Sequence, residues 1–358
     1  MNQRECILVL HKVLGLGADV VLGLKNAFSL CTLFEMSEEE LTELPGIGTR
    51  RAKRLVETDP EKTLKGLKAE IEEANCQVVT AADDDFPQGL FGKKGAPAVL
   101  FYKGNLGLLS TPVVSIVGTR RASSYGNQVA YSMARDMTIQ GVMVASGMAI
   151  GIDTAAHQGA LEKGPTIAVL GSGLAQVYPP QNLKLADKIA ESGLLLSPFT
   201  PATSPARWTF PRRNRLMAAL SRAVVVVEAG EKSGALLTAQ YAKEMDIPVF
   251  AVPGRIDSAQ SKGVLNLLKN GAKVATGAND VLEHLSIHPR VESGRGGDEL
   301  KGRELLVWKA LEEGDLPPEV IAQKTGVGLS EIWEVLLEME MKGLISQAVG
   351  GVYSRRAM

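Results

Sequence analysis

Between residues 112 and 275 the chain repeats one device seven times: a short run, apolar at nearly every position, that stops at a loop-forming residue. Pro112–Val117 ends in Gly118, Gly141–Ala145 runs into Ser146-Gly147, and Thr166–Leu170 ends in Gly171. Leu194-Leu195-Leu196 precedes Ser197-Pro198, Ala223–Val227 leads to Glu228-Ala229-Gly230, Pro248–Val252 ends in Pro253-Gly254, and Ala272–Ala275 closes the series. A strand with one wet face alternates, whereas one apolar on every residue is buried on both faces, as in a parallel sheet covered by helices. Helix-like segments such as 124–140 and 236–245 lie between the runs and serve as crossovers. The reading is an α/β chain with a central parallel, Rossmann-like sheet of about six or seven strands.

The flanks read differently. A length of 358 residues at ~150 per domain predicts two or three domains. Residues 1–75 read as short helices. Ser37-Glu38-Glu39-Glu40 has the pattern of a capping box. Pro45-Gly46-Ile47-Gly48-Thr49-Arg50-Arg51 is a Gly-rich turn into a basic helix, with a weaker copy at Leu14-Gly15-Leu16-Gly17. Two such hairpins resemble the SAM-like, or helix-hairpin-helix, class. The sheet domain is expected over 76–285 and a linker over 286–299. Residues 300–358 carry three helical segments and a short hairpin, a winged-helix outline. The third of those helices holds Glu331, Glu334, Glu338 and Glu340 against Lys342 alone, a poor reader of a major groove.

Composition excludes several classes. With 45% hydrophobic and 22% charged residues the chain is neither disordered nor fibrous, and no uncharged run reads as a membrane span. Cys6, Cys31 and Cys76 are odd in number and widely spaced. They predict neither a disulfide framework nor a CxxC metal site, and point to a reducing cytoplasm. The net charge of −1 hides a segregation. Phe86–Arg135 has six bases and no acid, and Ser192–Val227 five bases and no acid; 35–85 has 14 acids to 7 bases, and 292–340 has 12 to 5. The middle of the chain is thus a candidate basic face, unless the runs are simply solvated surface.

In an open parallel sheet, ligands sit beyond the carboxyl ends of the strands. Four loops there suit anions: Gly118-Thr119-Arg120 with Ser123 and Tyr125, Ser146-Gly147 through Asp153, Gly171-Ser172-Gly173, and Ser233-Gly234. Glycine lets backbone amides approach a phosphate, and a helix N-terminus favours negative charge. Gly171-x-Gly173 is not a dinucleotide fingerprint: the third glycine position is Gln176, and Pro179-Pro180 interrupts the helix. The segment Arg207-Trp208-Thr209-Phe210-Pro211-Arg212-Arg213-Asn214-Arg215 interleaves bases with aromatics, the chemistry of single-strand binding; alternatively Trp208 and Phe210 plug the core. Asp153 and His157 lie one turn apart and predict a hydrogen-bonded pair rather than a metal site. Neither a nucleophile–base arrangement nor paired carboxylates emerge, so binding without turnover is expected.

Taken in order, these loops resemble the DprA/Smf family of DNA-processing proteins. The resemblance rests on Val113–Gly118 with Thr119-Arg120 and Tyr125-Gly126, and on Ser146-Gly147, Gly151-Ile152-Asp153 and Ala156-His157. It rests equally on Ala168–Leu174, Tyr178-Pro179, Asn182, Phe210–Arg215, Val226–Ala229, Ser233-Gly234, Thr238-Ala239 and Phe250–Gly254. It implies a cytoplasmic, homodimeric protein that binds single-stranded DNA, protects it and loads RecA recombinase onto it in natural transformation, with no cofactor. Arg120 and Arg207–Arg215 would then meet phosphates, with Phe210 near a base. Thr119, Ile150 and Pro198 stand where the family usually has Ser, Arg and often Glu. A contrasting expectation is a nucleotide-processing enzyme of the LOG-like phosphoribohydrolase type, but Glu228–Gly234 lacks that group's Pro-Gly-Gly-x-Gly-Thr-x-x-Glu string.

Overall fold

A computed structural model describes residues 1–287, 300–341, 344–347 and 351–355. It forms two compact units, Met1–Pro289 and Arg290–Met358. The first is built on a nine-stranded sheet. Its strands are β1 (Gln77–Thr80), β2 (Val99–Gly104), β3 (Val113–Val117), β4 (Met143–Ser146) and β5 (Thr166–Val169), then β6 (Leu194–Ser197), β7 (Ala223–Val226), β8 (Val249–Ala251) and β9 (Lys273–Val274). Their spatial order is β1-β2-β6-β5-β4-β3-β7-β8-β9. The seven apolar runs are the seven parallel strands, and β3 to β7 are buried at every residue. Two further strands extend the expected sheet: β2 pairs antiparallel with β6, and β1 antiparallel with β2.

Helices cover both faces. In order, α1 (Gln3–Leu14), α2 (Ala18–Ala27), α3 (Glu38–Thr42), α4 (Gly48–Val56) and α5 (Pro60–Glu73) precede the sheet. Within it lie α6 (Ser124–Ile139), α7 (Ile152–Lys163), α8 (Leu183–Ser192), α9 (Thr209–Leu220), α10 (Gly234–Glu244), α11 (Lys262–Lys269) and α12 (Ala278–His284). On one face, Ala130, Met133 and Met137 of α6, Ile152 and Ala156 of α7, and Val281 of α12 pack on Val114, Ile116 and Val225. On the other, Ile189 of α8, Leu216 of α9 and Ala239 of α10 pack on Ile167, Leu195 and Val224. That second core continues without a break into Ile7, Leu10, Leu33 and Leu67 of the N-terminal helices.

The capping box at α3 forms as expected: Ser37 Oγ accepts from Glu40 N–H (3.3 Å), and Glu40 Oε2 accepts from Ser37 N–H (2.8 Å). Gly46 and Gly48 take φ of 81° and 61°, a left-handed conformation that favours glycine. The expectation of no disulfide is corrected here. Cys6 of α1 and Cys31 of the 3-10 turn Leu30–Phe34, which follows α2, are disulfide-bonded, their Cα atoms 5.6 Å apart, while Cys76 is free. Sequence spacing carried no hint, because only the packing of that turn on α1 brings the two together.

The second unit has helices Arg303–Ala310, Pro318–Thr325 and Leu329–Met341 and an antiparallel hairpin, Ile345–Gln347 with Tyr353–Arg355, around a core of Val307, Ile321, Leu336 and Tyr353. Its third helix begins at Leu329. Lys342 and most of the linker expected at 286–299 fall outside the described residues.

Candidate nucleic-acid interface

The connection order dictates where a ligand can sit. From β3 the chain adds β4, β5 and β6 on one side, then crosses to place β7, β8 and β9 on the other. At such a reversal the loops leaving two neighbouring strands part in opposite directions and open a crevice beyond their carboxyl ends. A cavity of about 470 Å³ lies there. Gly118, Thr119, Arg120 and Arg121 line it from the β3–α6 loop, Lys232, Ser233 and Gly234 from the β7–α10 loop, and Phe210, Arg213 and Asn214 from α9. Eight of the residues singled out in the sequence therefore meet at one place: Gly118, Thr119, Arg120, Phe210, Arg213, Asn214, Ser233 and Gly234.

The arginine loop is held from beneath. A Cβ at Gly118 would stand 2.5 Å from the Ile152 side chain and 2.9 Å from the Glu228 carbonyl, so only glycine lets the loop pass between β7 and α7. Thr119 N–H donates to that carbonyl (2.7 Å), and Thr119 Oγ1 accepts from Arg121 N–H (3.2 Å). The carboxylate of Glu228, buried, accepts from Ser123 N–H (2.9 Å) and Ser123 Oγ (2.6 Å), while Ser123 Oγ accepts from Gly126 N–H (3.0 Å). This corrects the expectation for Ser123: the positive end of α6 is already occupied by the protein's own carboxylate. Tyr125 is likewise engaged, its hydroxyl donating to Pro253 O at 3.1 Å.

Arg213 is not a surface group. It is 6% exposed. Its Nη1 donates to the carbonyls of Gly147 and Val169 (the latter at 2.9 Å), and its Nε to Asn214 Oδ1 (2.8 Å). Asn214 Nδ2 in turn donates to Gly234 O at 3.2 Å, so both ends of that amide are engaged. Asp153, also buried, accepts from Ala149 N–H at 3.2 Å. Burial raises its pKa, opposed by the Arg213 charge, and burial lowers that of Arg213, opposed by Asp153. Arg213 and Asn214 thus tie the β4–α7 loop, the end of β5 and the start of α10 to α9. Gly147 belongs to the scaffold, since the Arg213 guanidinium fills the space a side chain there would need. Ser146 is buried within the sheet, donating to Ile116 O at 2.6 Å.

The expected Asp153–His157 bond is absent among the described contacts. His157 Nδ1 instead lies 2.9 Å from Thr166 Oγ1, whose proton goes to Val144 O (2.8 Å), so Nδ1 is the donor. Burial, with Arg213 nearby, holds His157 down to about 3.

The third loop is closed. A Cβ at Gly171 would meet the Phe210 ring, and one at Gly173 the carbonyls of Thr200 and Pro201. Gly171 O accepts from Thr209 Oγ1 (2.5 Å), and Ser172 O from Ser197 Oγ (2.7 Å). Ser172 is fully buried. The segment between β6 and α9 covers this end of the sheet, which takes Gly171, Ser172 and Gly173 out of the candidate interface.

What remains open is cationic. Arg120, Arg121, Arg207, Arg212 and Lys232 are exposed, and no acid pairs with any of them among the described residues. The Arg120 guanidinium lies 5.4 Å from the centre of the Phe210 ring, and that of Arg212 lies 5.2 Å from Trp208, itself 54% exposed. Stacking of this kind orients a guanidinium without neutralising it. Arg212 also reaches back over Gly15 at the carboxyl end of α1 and lies near enough to Arg51 of α4 for their charges to repel. Arg215 turns away, ion-paired to Glu244 (3.3 Å) and stacked on Tyr241. Sequence reasoning passed over Arg121, Lys232 and Gln260 as cavity residues. The first two stood beside selected positions; Gln260 comes from the β8–α11 loop, which carried no anion signal.

Comparison with known proteins places the whole chain in one family. Residues 77–286 match the family described as DNA recombination-mediator protein A, 293–351 the DprA winged helix domain, and 7–58 the SAM-like helix-hairpin-helix tandem. The chain is 32% identical to protein Smf of Synechocystis over 99% of both chains, and 34% identical to protein Smf of Escherichia coli over 87% of this chain and 86% of that one. The structure of DNA processing protein A from Streptococcus pneumoniae superposes with a TM-score of 0.68 at 34% identity, over 79% of this chain and 98% of that one. That of the Helicobacter pylori protein, described for its single-stranded DNA binding mode, gives 0.54 at 33% identity, over 60% and 97%. With sheet, winged helix and N-terminal hairpins all matched in order, the chain belongs to the DprA/Smf family of DNA-processing proteins.

Proposed function

We propose that this protein binds single-stranded DNA across the crevice between β3 and β7, shields the strand, and hands it to a RecA recombinase. In this reading it acts in the cytoplasm as a homodimer during DNA uptake and recombination. One observation carries the binding step: five exposed cations without acidic partners stand beside two stacked aromatics at the carboxyl rim of the sheet. Such charges repel one another until a polyanion neutralises them, and base stacking adds affinity that reads no base edge. The likeness to the Helicobacter pylori protein supports the choice of single strands. RecA loading, strand protection and dimerisation rest on the family resemblance.

Binding is proposed to occur without catalysis. Asp153, a buried carboxylate in the cavity lining, and Glu228, a buried carboxylate behind the arginine loop, are engaged in holding loops. The test is a titration of labelled poly-dT against a matched duplex at two salt concentrations, repeated with Arg120→Ala/Arg121→Ala/Lys232→Ala. The triple variant should keep its melting temperature and bind poly-dT at least tenfold more weakly. Undiminished binding, or preference for the duplex, overturns the interface. Release of free base from nucleoside monophosphates overturns the non-catalytic reading.

A further inference from the structure

The third helix of the C-terminal unit, Leu329–Met341, presents an outward face that the DNA-binding reading leaves unused. Leu329, Trp333 and Leu337 are spaced i, i+4, i+8, so they form one stripe along ~12 Å of helix. They are 42%, 44% and 60% exposed, although the adjoining face of the same helix, Ile332, Leu336 and Met339, is fully buried. The Trp333 ring is held edge-on to Tyr353 of the hairpin, centres 6.2 Å apart. Beside the apolar stripe runs a second one, Ser330, Glu334 and Glu338, also exposed. Glu331 is ion-paired to Arg303 (3.1 Å), and Glu340 accepts from Gln347 N–H (3.3 Å). Leu329–Met341 contains no base.

From this pairing of stripes we infer that the helix is a docking site for a partner protein bearing an amphipathic helix, with leucine-like residues on its contact face and lysines or arginines along one edge. Charge selects that occupant. Nucleic acid and anionic membrane surfaces are repelled by the carboxylates, and a second copy of this unit would oppose one acidic stripe with another. A basic-edged helix satisfies both stripes at once, with the exposed tryptophan as the anchor such interfaces favour. The inference stands independently of the sheet crevice.

The test uses the full chain and a synthetic 20-residue helical peptide with leucines on one face and lysines on its flank. A second peptide carries glutamates in place of the lysines. The lysine peptide should bind saturably, more weakly as salt rises, and at least tenfold more weakly to Trp333→Ala and to Glu334→Lys/Glu338→Lys. All these positions are exposed, and unchanged melting curves verify that the unit stays folded. Equal affinity for both peptides, or for wild type and variants, overturns the proposal. So does concentration-dependent self-association abolished by Leu337→Lys, which makes a second copy the occupant, or duplex binding lost in Trp333→Ala, which makes it nucleic acid.

Discussion

Arg213 shows how much burial changes the meaning of a residue type. Read as one of four arginines in a basic segment, it is a phosphate ligand; folded, it braces Gly147, Val169 and Asn214. Removing it leaves the buried carbonyls of Gly147 and Val169 without that donor and takes away the positive charge that opposes the burial of Asp153, a loss of about 1–3 kcal/mol. Arg213→Met should therefore lower the melting temperature by several degrees, whereas Arg120→Ala should leave it unchanged and weaken DNA binding. In the double variant Arg213→Met/Asp153→Asn part of the stability should return, and failure to recover any would separate the two residues. His157 gives a second handle. Its pKa is about 3 in the fold against about 6.5 in the unfolded chain. Between those values the unfolded chain binds the extra proton, so the contribution of His157 is full above pH 6.5 and falls on acidification by about 1.4 kcal/mol per unit. Urea titrations at pH 7, 5.5 and 4.5 should show that acid limb, and His157→Gln should flatten it by about that slope. Residue types and loop positions were legible in the sequence. Which side chains point outward was not, because that depends on carbonyls and carboxylates supplied from far along the chain.

Glu228 and Ser123 make that point at the level of elements. They are 105 positions apart, yet together they close the N-terminus of α6 and set the loop that carries Arg120. Glu228→Ala should unpin this loop, costing about 1.5–3 kcal/mol for the lost charge-assisted bonds, and should raise the rate of amide hydrogen exchange at 119–124. A loop as protected as in wild type would show the latch to be dispensable. The parallel strands β3 to β7 were readable because both their faces are dry, so nearly every residue is apolar. β1 and β2 were not: Gln77-Val78-Val79-Thr80 is short and mixed, and its antiparallel pairing leaves one end partly exposed. The covering of the β5 loop was equally invisible, since Thr200, Pro201 and Phe210 act there through backbone and shape.

For the molecule as a whole, the rim charges predict a salt dependence. With five exposed cations and a slope of about 0.7 per phosphate neutralised on single strands, log affinity for poly-dT should fall by roughly 3 to 4 per decade of salt. Each cation removed should lessen that slope by about 0.7; a slope indifferent to Arg120, Arg121 and Lys232 would place the strand elsewhere. The N-terminal helices bear on any attempt to isolate this interface. Ile7, Leu10 and Leu67 belong to the same hydrophobic interior as the sheet, and α1 leans on β1 and β2. A fragment trimmed to the matched stretch 77–286 would present a raw oily flank to water, and would clump in solution rather than work as a stand-alone DNA clasp. The helical prelude is masonry, bonded into the wall it adjoins.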